Sequence, residues 1–109
     1  MNTEKTALGI DIGGTKIYAG LVNKNGEILT PPAKYATPHS VDEIKKTLSG
    51  IIKNHGKTAS IVAIATAGAV NNDNTKILSS TANLPNGYSD IDFQSLSENL
   101  PVFVENDAN

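Results

Sequence analysis

Cysteine and tryptophan are absent from this 109-residue chain, and aromatic residues make up only 5% of it. Without cysteine there is no disulfide framework and no thiolate metal site within these residues, which fits a reducing compartment. Long apolar runs are missing too: none approaches the roughly 20 residues a membrane-spanning helix needs. The opening "MNTEKTALGI" carries Lys5 but no extended apolar segment and no small-residue cleavage site, so no secretory signal is expected. Nor is there a basic excess. A formal net charge of −2 gives nothing to hold a nucleic-acid backbone or an anionic membrane. The expectation is a cytoplasmic protein with neither kind of partner.

What is present is ordinary for a globular domain: 39% hydrophobic and 18% charged residues, enough for one domain with a modest core. The far end, "LPVFVENDAN", breaks off just after an apolar run, where acidic and amide residues would lead into another element. The chain reads as truncated there.

Residues 6–11 (TALGID) and 16–22 (KIYAGLV) read as buried strands. In the second, Ile17, Ala19 and Leu21 fall on one face and Tyr18, Gly20 and Val22 on the other. Both faces are mostly apolar, which predicts cover on both sides. Asn25-Gly26 is a strong hairpin signal, so 26–30 (GEILT) is expected as a third strand, antiparallel to the second and stopped by Pro31-Pro32. A further extended piece follows at 34–38 (KYATP).

Ser40 followed by Glu43 forms a capping box. Val41, Ile44, Leu48, Ile51 and Ile52 then recur at helical spacing, predicting a helix over 41–54 that Gly56 ends in the left-handed conformation. Residues 61–67 (IVAIATA) read as a buried central strand, and "NLPNGY" at 83–88 as loop. Asp92 would cap a short helix presenting Phe93, Leu96 and Leu100, and 102–104 (VFV) would form a last strand. The first three strands are hairpin-connected, while the fourth and fifth each follow a helix, which favours parallel placement beside the first. The expected fold is α/β, a mixed sheet with helices on its faces.

Gly13-Gly14-Thr15 sits between the first two strands. Glycines let backbone N–H groups converge into an anion-binding nest, and Thr15 adds a hydroxyl. Lys16 either adds charge or points to solvent. A carboxylate beside a phosphate repels it unless a cation intervenes, so Asp11 next to such a turn suggests Mg²⁺. The same residues also read as a plain tight hairpin in which Asp11 hydrogen-bonds its own turn. A P-loop is excluded: Gly9 and Gly14 have the right separation, but Thr15-Lys16 reverses the required order and a strand follows instead of a helix. The dinucleotide pattern Gly-x-Gly-x-x-Gly is absent. "NNDN" at 71–74 lacks the glycine and closing glutamate of a calcium loop and reads as a hairpin tip. His39, His55 and the lysines Lys45, Lys46 and Lys53 read as solvated.

"GIDIGGTKIYAGLVNKNGEI" resembles the first phosphate-binding hairpin of the ROK family (repressors, open reading frames and sugar kinases), which has the actin-like, ribonuclease-H-like ATPase fold. "IVAIATAGAVN" (61–71), "STANLPNGYSDIDF" (80–93) and "PVFVENDAN" (101–109) resemble further family motifs in matching order and spacing. The resemblance implies the N-terminal lobe of an ATP-dependent hexose kinase over residues 1–109, without its C-terminal lobe. It implies Asp107 as the general base for a sugar hydroxyl, usually the 6-hydroxyl. An ordinary aspartate, with a pKa of about 3.9, is ionised at neutral pH and suited to that task. Asn106 and Asn83 would hydrogen-bond the sugar, each amide offering donor and acceptor, and Gly68 would let backbone approach it. Asp11, Gly13, Gly14, Thr15 and Lys16 would serve phosphate, with Asp11 reaching Mg²⁺ through the phosphates. Taken singly, Asn106-Asp107 also reads as a helix cap and Asn83 as a turn residue.

The resemblance further implies a homodimer, and a structural Zn²⁺ whose ligands would lie beyond residue 109. One lobe alone should be inactive. Glucose-specific members carry Pro-Gly-x-Val after the fourth strand, whereas this chain has Thr66-Ala67-Gly68-Ala69-Val70. That resembles N-acetylmannosamine kinases as much, β-glucoside kinases remain open, and an unspecified hexose is the expected substrate. The alternatives are a sugar-responsive repressor of the same family and a non-sugar actin-like ATPase. With only about seven residues before the glycine hairpin, a repressor's DNA-binding head is not expected.

Overall fold

The computed structural model describes residues 6–23, 27–66 and 91–106. Five strands form one sheet: β1 (Thr6–Ile12), β2 (Lys16–Asn23), β3 (Ala33–Ala36), β4 (Ile61–Thr66) and β5 (Val102–Asn106), in spatial order β3-β2-β1-β4-β5. β1 pairs antiparallel with β2, and β2 with β3. β4 lies parallel to β1, and β5 parallel to β4. The helix α1 (Val41–His55) connects β3 to β4.

The helix forms where three local signals agree. Ser40 has extended backbone, and its hydroxyl accepts the Glu43 N–H at 3.2 Å, the geometry of an N-cap. Asp42 and Glu43 occupy the first turn, and Lys53 and His55 the last, each sign favourable to the helix dipole. Ile44, Leu48, Ile51 and Ile52 are buried and join one core with Leu8, Ile10, Ile12, Ile17 and Ala19 of the hairpin and Val62, Ile64, Val102 and Val104 of the parallel strands. Burying each such side chain contributes about 1.5–3 kcal/mol. That burial fixes which sheet face the helix covers, because a one-residue slip would turn every strand inside out.

Several expectations need correction. The third strand is Ala33–Ala36, not 26–30. Residues after the hairpin do bond back to β2: Leu29 N–H donates to Leu21 O at 2.7 Å, Asn23 N–H donates to Glu27 O at 3.0 Å, and Val22 and Ile28 form an isolated bridge. Pro31 and Pro32 lack N–H groups and cannot extend that ladder, so the chain pairs in earnest only beyond them. The turn at Asn25-Gly26 lies outside the described residues.

Gly56 is not left-handed, having φ −87° and ψ 4°. It opens a 3-10 turn (Gly56–Thr58) and is buried. A Cβ there would sit 3.2 Å from Leu100 Cδ1, so close approach, not backbone conformation, favours glycine. Asp92 makes no side-chain cap. The expected short helix is a 3-10 turn (Phe93–Leu96) whose Ser95 N–H bonds the Asp92 carbonyl. Cover lies on one sheet face among the described residues. On the other face Tyr18 and Phe103 are exposed, and Gly9, Gly20, Ala63 and Ala65 line a shallow apolar groove with Tyr18. These residues made the strands read as apolar on both sides although they carry little side chain.

His55 is not simply solvated. Its Nε2 lies 2.7 Å from the Tyr35 hydroxyl, and the rings meet edge-on at 6.3 Å. This bond ties β3, an edge strand, to the end of α1. Removing it with Tyr35→Phe should cost about 1 kcal/mol and lower the melting temperature by about 5 °C, read by calorimetry.

Candidate functional site

Three parallel strands define one edge of the sheet. Ile12 of β1 is in register with Thr66 of β4, and Thr66 with Asn106 of β5. The carboxyl ends of all three therefore lie side by side, where open α/β sheets bind ligands. With strands about 4.8 Å apart, β1 and β5 are separated by about 10 Å.

The glycine turn leaves β1 at this edge. Gly13 N–H donates to Lys16 O at 2.9 Å, closing the turn. A Cβ on Gly13 would lie 3.2 Å from that same oxygen, so tightness is the reason for glycine there. Gly13 and Gly14 are half-buried, and Thr15 and Lys16 are exposed. Asp11 stands one residue before the end of β1. Its neighbours Ile10 and Ile12 face the core, and Asp11 is exposed on the opposite, open face, level with Tyr18 of β2 and Ala65 of β4.

The structure thus gathers Asp11, Gly13, Gly14, Thr15 and Lys16 at one corner, with the Asn106 backbone two strands away along the same edge. Gly68, Asn83 and Asp107 lie outside the described residues. No cluster of three or more His, Cys, Asp or Glu suited to a metal ion occurs among the described residues. The exposed Asp11 carboxylate is a hard oxygen donor that fits a Mg²⁺ held mainly by phosphate and water.

One residue of this corner escaped the sequence reading. Thr37 follows β3, is 5% exposed, and makes two bonds to the glycine turn. Its hydroxyl donates to Gly13 O at 2.8 Å and its N–H to Thr15 O at 3.0 Å. The only available signal was the alternation that puts Thr37 on the same side as Tyr35. Its target depends on the register Lys16–Ala36, which no local pattern specifies.

A concavity of about 420 Å³ lies elsewhere. It lies between the end of α1 and residues 95–100, lined by Ile52, Lys53, Lys57, Ser97 and Leu100. That is beside the amino ends of β4 and β5. The strand ends, not this volume, carry the argument for a site.

The ROK family model matches residues 7–109. The chain belongs to the ROK family. It is 39% identical over 114 aligned residues to a glucokinase of Streptomyces coelicolor, covering 94% of this chain and 32% of that protein. It is 37% identical over 67 residues to an N-acetylmannosamine kinase of Escherichia coli, covering 60% of this chain and 23% of that protein. Among solved structures, a ROK family glucokinase from Streptomyces griseus in complex with glucose and AMPPNP superposes with a TM-score of 0.77 at 32% identity, over 95% of this chain and 34% of that one. The mixed sheet and its helix are accordingly those of the N-terminal part of a ROK sugar kinase, and the chain spans about a third of the glucokinases it matches. Among the described residues no helix is long and apolar enough to cross a membrane.

Proposed function

We propose that the protein carrying this ROK sequence transfers the γ-phosphoryl group of ATP to a hexose, at the 6-hydroxyl, and that residues 1–109 form its N-terminal lobe. The observation that supports this most is the shared edge at Ile12, Thr66 and Asn106. It leaves the glycine turn and the strand leading to Asp107 about 10 Å apart, room for a sugar hydroxyl and a terminal phosphate between them. Identity to a glucokinase and to an N-acetylmannosamine kinase supports the substrate class.

In this reading the Asp107 carboxylate takes the hydroxyl proton as the sugar oxygen bonds to the γ-phosphorus, and the bond from that phosphorus to the bridging oxygen breaks to release ADP. Asn106 and Asn83 hold sugar hydroxyls, and Gly68 lets backbone come close. Gly13, Gly14, Thr15 and Lys16 hold the phosphates. Asp11 would hold Mg²⁺ through the phosphates, and the ion would supply neutralisation of phosphate charge. Phosphoryl transfer rests largely on such positioning and charge compensation.

The test is a screen of the intact protein with ATP and Mg²⁺ over glucose, mannose, N-acetylmannosamine and cellobiose, identifying the product by mass and phosphorus NMR. A hexose 6-phosphate formed at about 1–100 s⁻¹ is expected, and no turnover by the 109-residue chain alone. Sugar binding without transfer would favour a repressor instead. Full turnover by the isolated chain would mean the site has been misplaced.

A further inference from the structure

Thr37 makes both of its hydrogen bonds to carbonyl oxygens of the glycine turn. An anion site built from backbone needs N–H groups turned toward the ligand, and the carbonyls of the same peptides are the groups that would repel it. In this turn the Gly13 carbonyl accepts the Thr37 hydroxyl, the Thr15 carbonyl accepts the Thr37 N–H, and the Lys16 carbonyl accepts the Gly13 N–H. Three carbonyls of the corner are therefore occupied by donors within the protein, two of them by one residue.

Thr37 suits this work. Its β-branched side chain is stiff about χ1, and Pro38 after it restricts its backbone to extended conformations. It is almost fully buried, so water does not readily replace its hydroxyl. Tyr35, two residues earlier and within β3, is bonded to His55. The segment 35–37 thus runs as a strut from the end of α1 to the turn.

We infer that Thr37 is a positioning residue for phosphate: it fixes the conformation of the Gly13–Lys16 turn by occupying the carbonyls of Gly13 and Thr15, and so sets the affinity for the nucleotide without touching it. The inference rests on the phosphoryl-transfer reading above.

Thr37→Val keeps shape and burial but deletes the hydroxyl, while Thr37→Ser keeps the hydroxyl. In the intact protein Thr37→Val should raise the KM for ATP about tenfold or more, the expected consequence of a buried acceptor left unpaired. The KM for the sugar should stay within about twofold. Thr37→Ser should restore the ATP value to within about threefold. Hydrogen exchange should quicken at the amides of Gly13 and Thr37 in the valine variant and not in the serine variant. A valine variant with an unchanged KM for ATP and unchanged exchange would overturn the inference. So would equal weakening for ATP and sugar that serine fails to restore, since that pattern marks a merely structural role.

If the wild-type protein phosphorylates no hexose, the functional reading fails by itself, and binding of the ATP analogue AMPPNP then decides about Thr37. Weaker binding in the valine variant alone supports the inference. Equal binding in all three proteins, or binding in none, overturns it.

Discussion

Asp107→Asn in the intact protein should lower kcat for hexose phosphorylation by about 10²–10⁴, with the KM values for ATP and sugar within about threefold of wild type. The asparagine side chain has nearly the same shape and can still hydrogen-bond a hydroxyl, so it preserves binding while removing the proton acceptor. A loss confined to kcat marks a group whose contribution is made in the transition state and not in the bound ground state. Steady-state kinetics with whichever sugar the screen identifies, together with a melting curve to show an unchanged fold, make the measurement. A variant that keeps more than about a tenth of the wild-type kcat would remove Asp107 from the role of base. A variant that loses sugar affinity instead would make it a binding residue. The same experiment on Asn106, whose backbone pairs with Thr66 at the end of β5, should give the opposite split, with the sugar KM rising more than kcat falls.

The fold was legible where independent local signals pointed the same way. For α1 the Ser40 cap, the acidic first turn and the spacing of Ile44, Leu48, Ile51 and Ile52 agree, and the helix ends one residue beyond the expected position. β1, β2 and β4 are apolar runs of strand length. The parallel direction of β4 and β5 followed from connection rules, although β5 lies beside β4 and not beside β1. Legibility failed where a non-local partner decides. Asn25-Gly26 promised a neighbouring strand, but the two prolines after Thr30 moved regular pairing to Ala33–Ala36.

A glycine after a helix has two physical uses, and at Gly56 contact with Leu100 outweighed the left-handed one. His55 and Tyr35 are twenty positions apart, beyond the reach of any local pattern. At the site, Asp11 and the glycine turn could be singled out because their residue types are unusual at a strand end. Thr37 could not, because a threonine before a proline is an ordinary loop residue until the register sets it against Gly13 and Thr15.

Phe93→Ala should destabilise the fold by about 3–5 kcal/mol, a large part of the roughly 5–15 kcal/mol expected for a domain of this kind. Phe93 is fully buried, among the largest side chains in the core. It belongs to a 3-10 turn of four residues, too short to hold itself, so its ring is what seats the turn on the sheet. The consequence reaches the site through the next residue. Gln94 Oε1 accepts the Val102 N–H at 2.9 Å, and Gln94 Nε2 donates to Leu100 O at 3.0 Å. One side chain thereby holds both flanks of Pro101, where β5 begins.

If Phe93 is lost, Gln94 loses its footing, and the strand that runs from this clamp to Asn106 loses the anchor at its start. A urea titration followed by far-UV circular dichroism should show the midpoint falling by about 2–3 M at a slope of about 1.5 kcal/mol per M. Phe103→Ala, on the open face and 44% exposed, should cost less than about 1 kcal/mol and serves as the control of equal size and chemistry. Equal costs at the two positions would mean that the open face is covered in solution as thoroughly as the helix side, and that the start of β5 does not depend on the 3-10 turn.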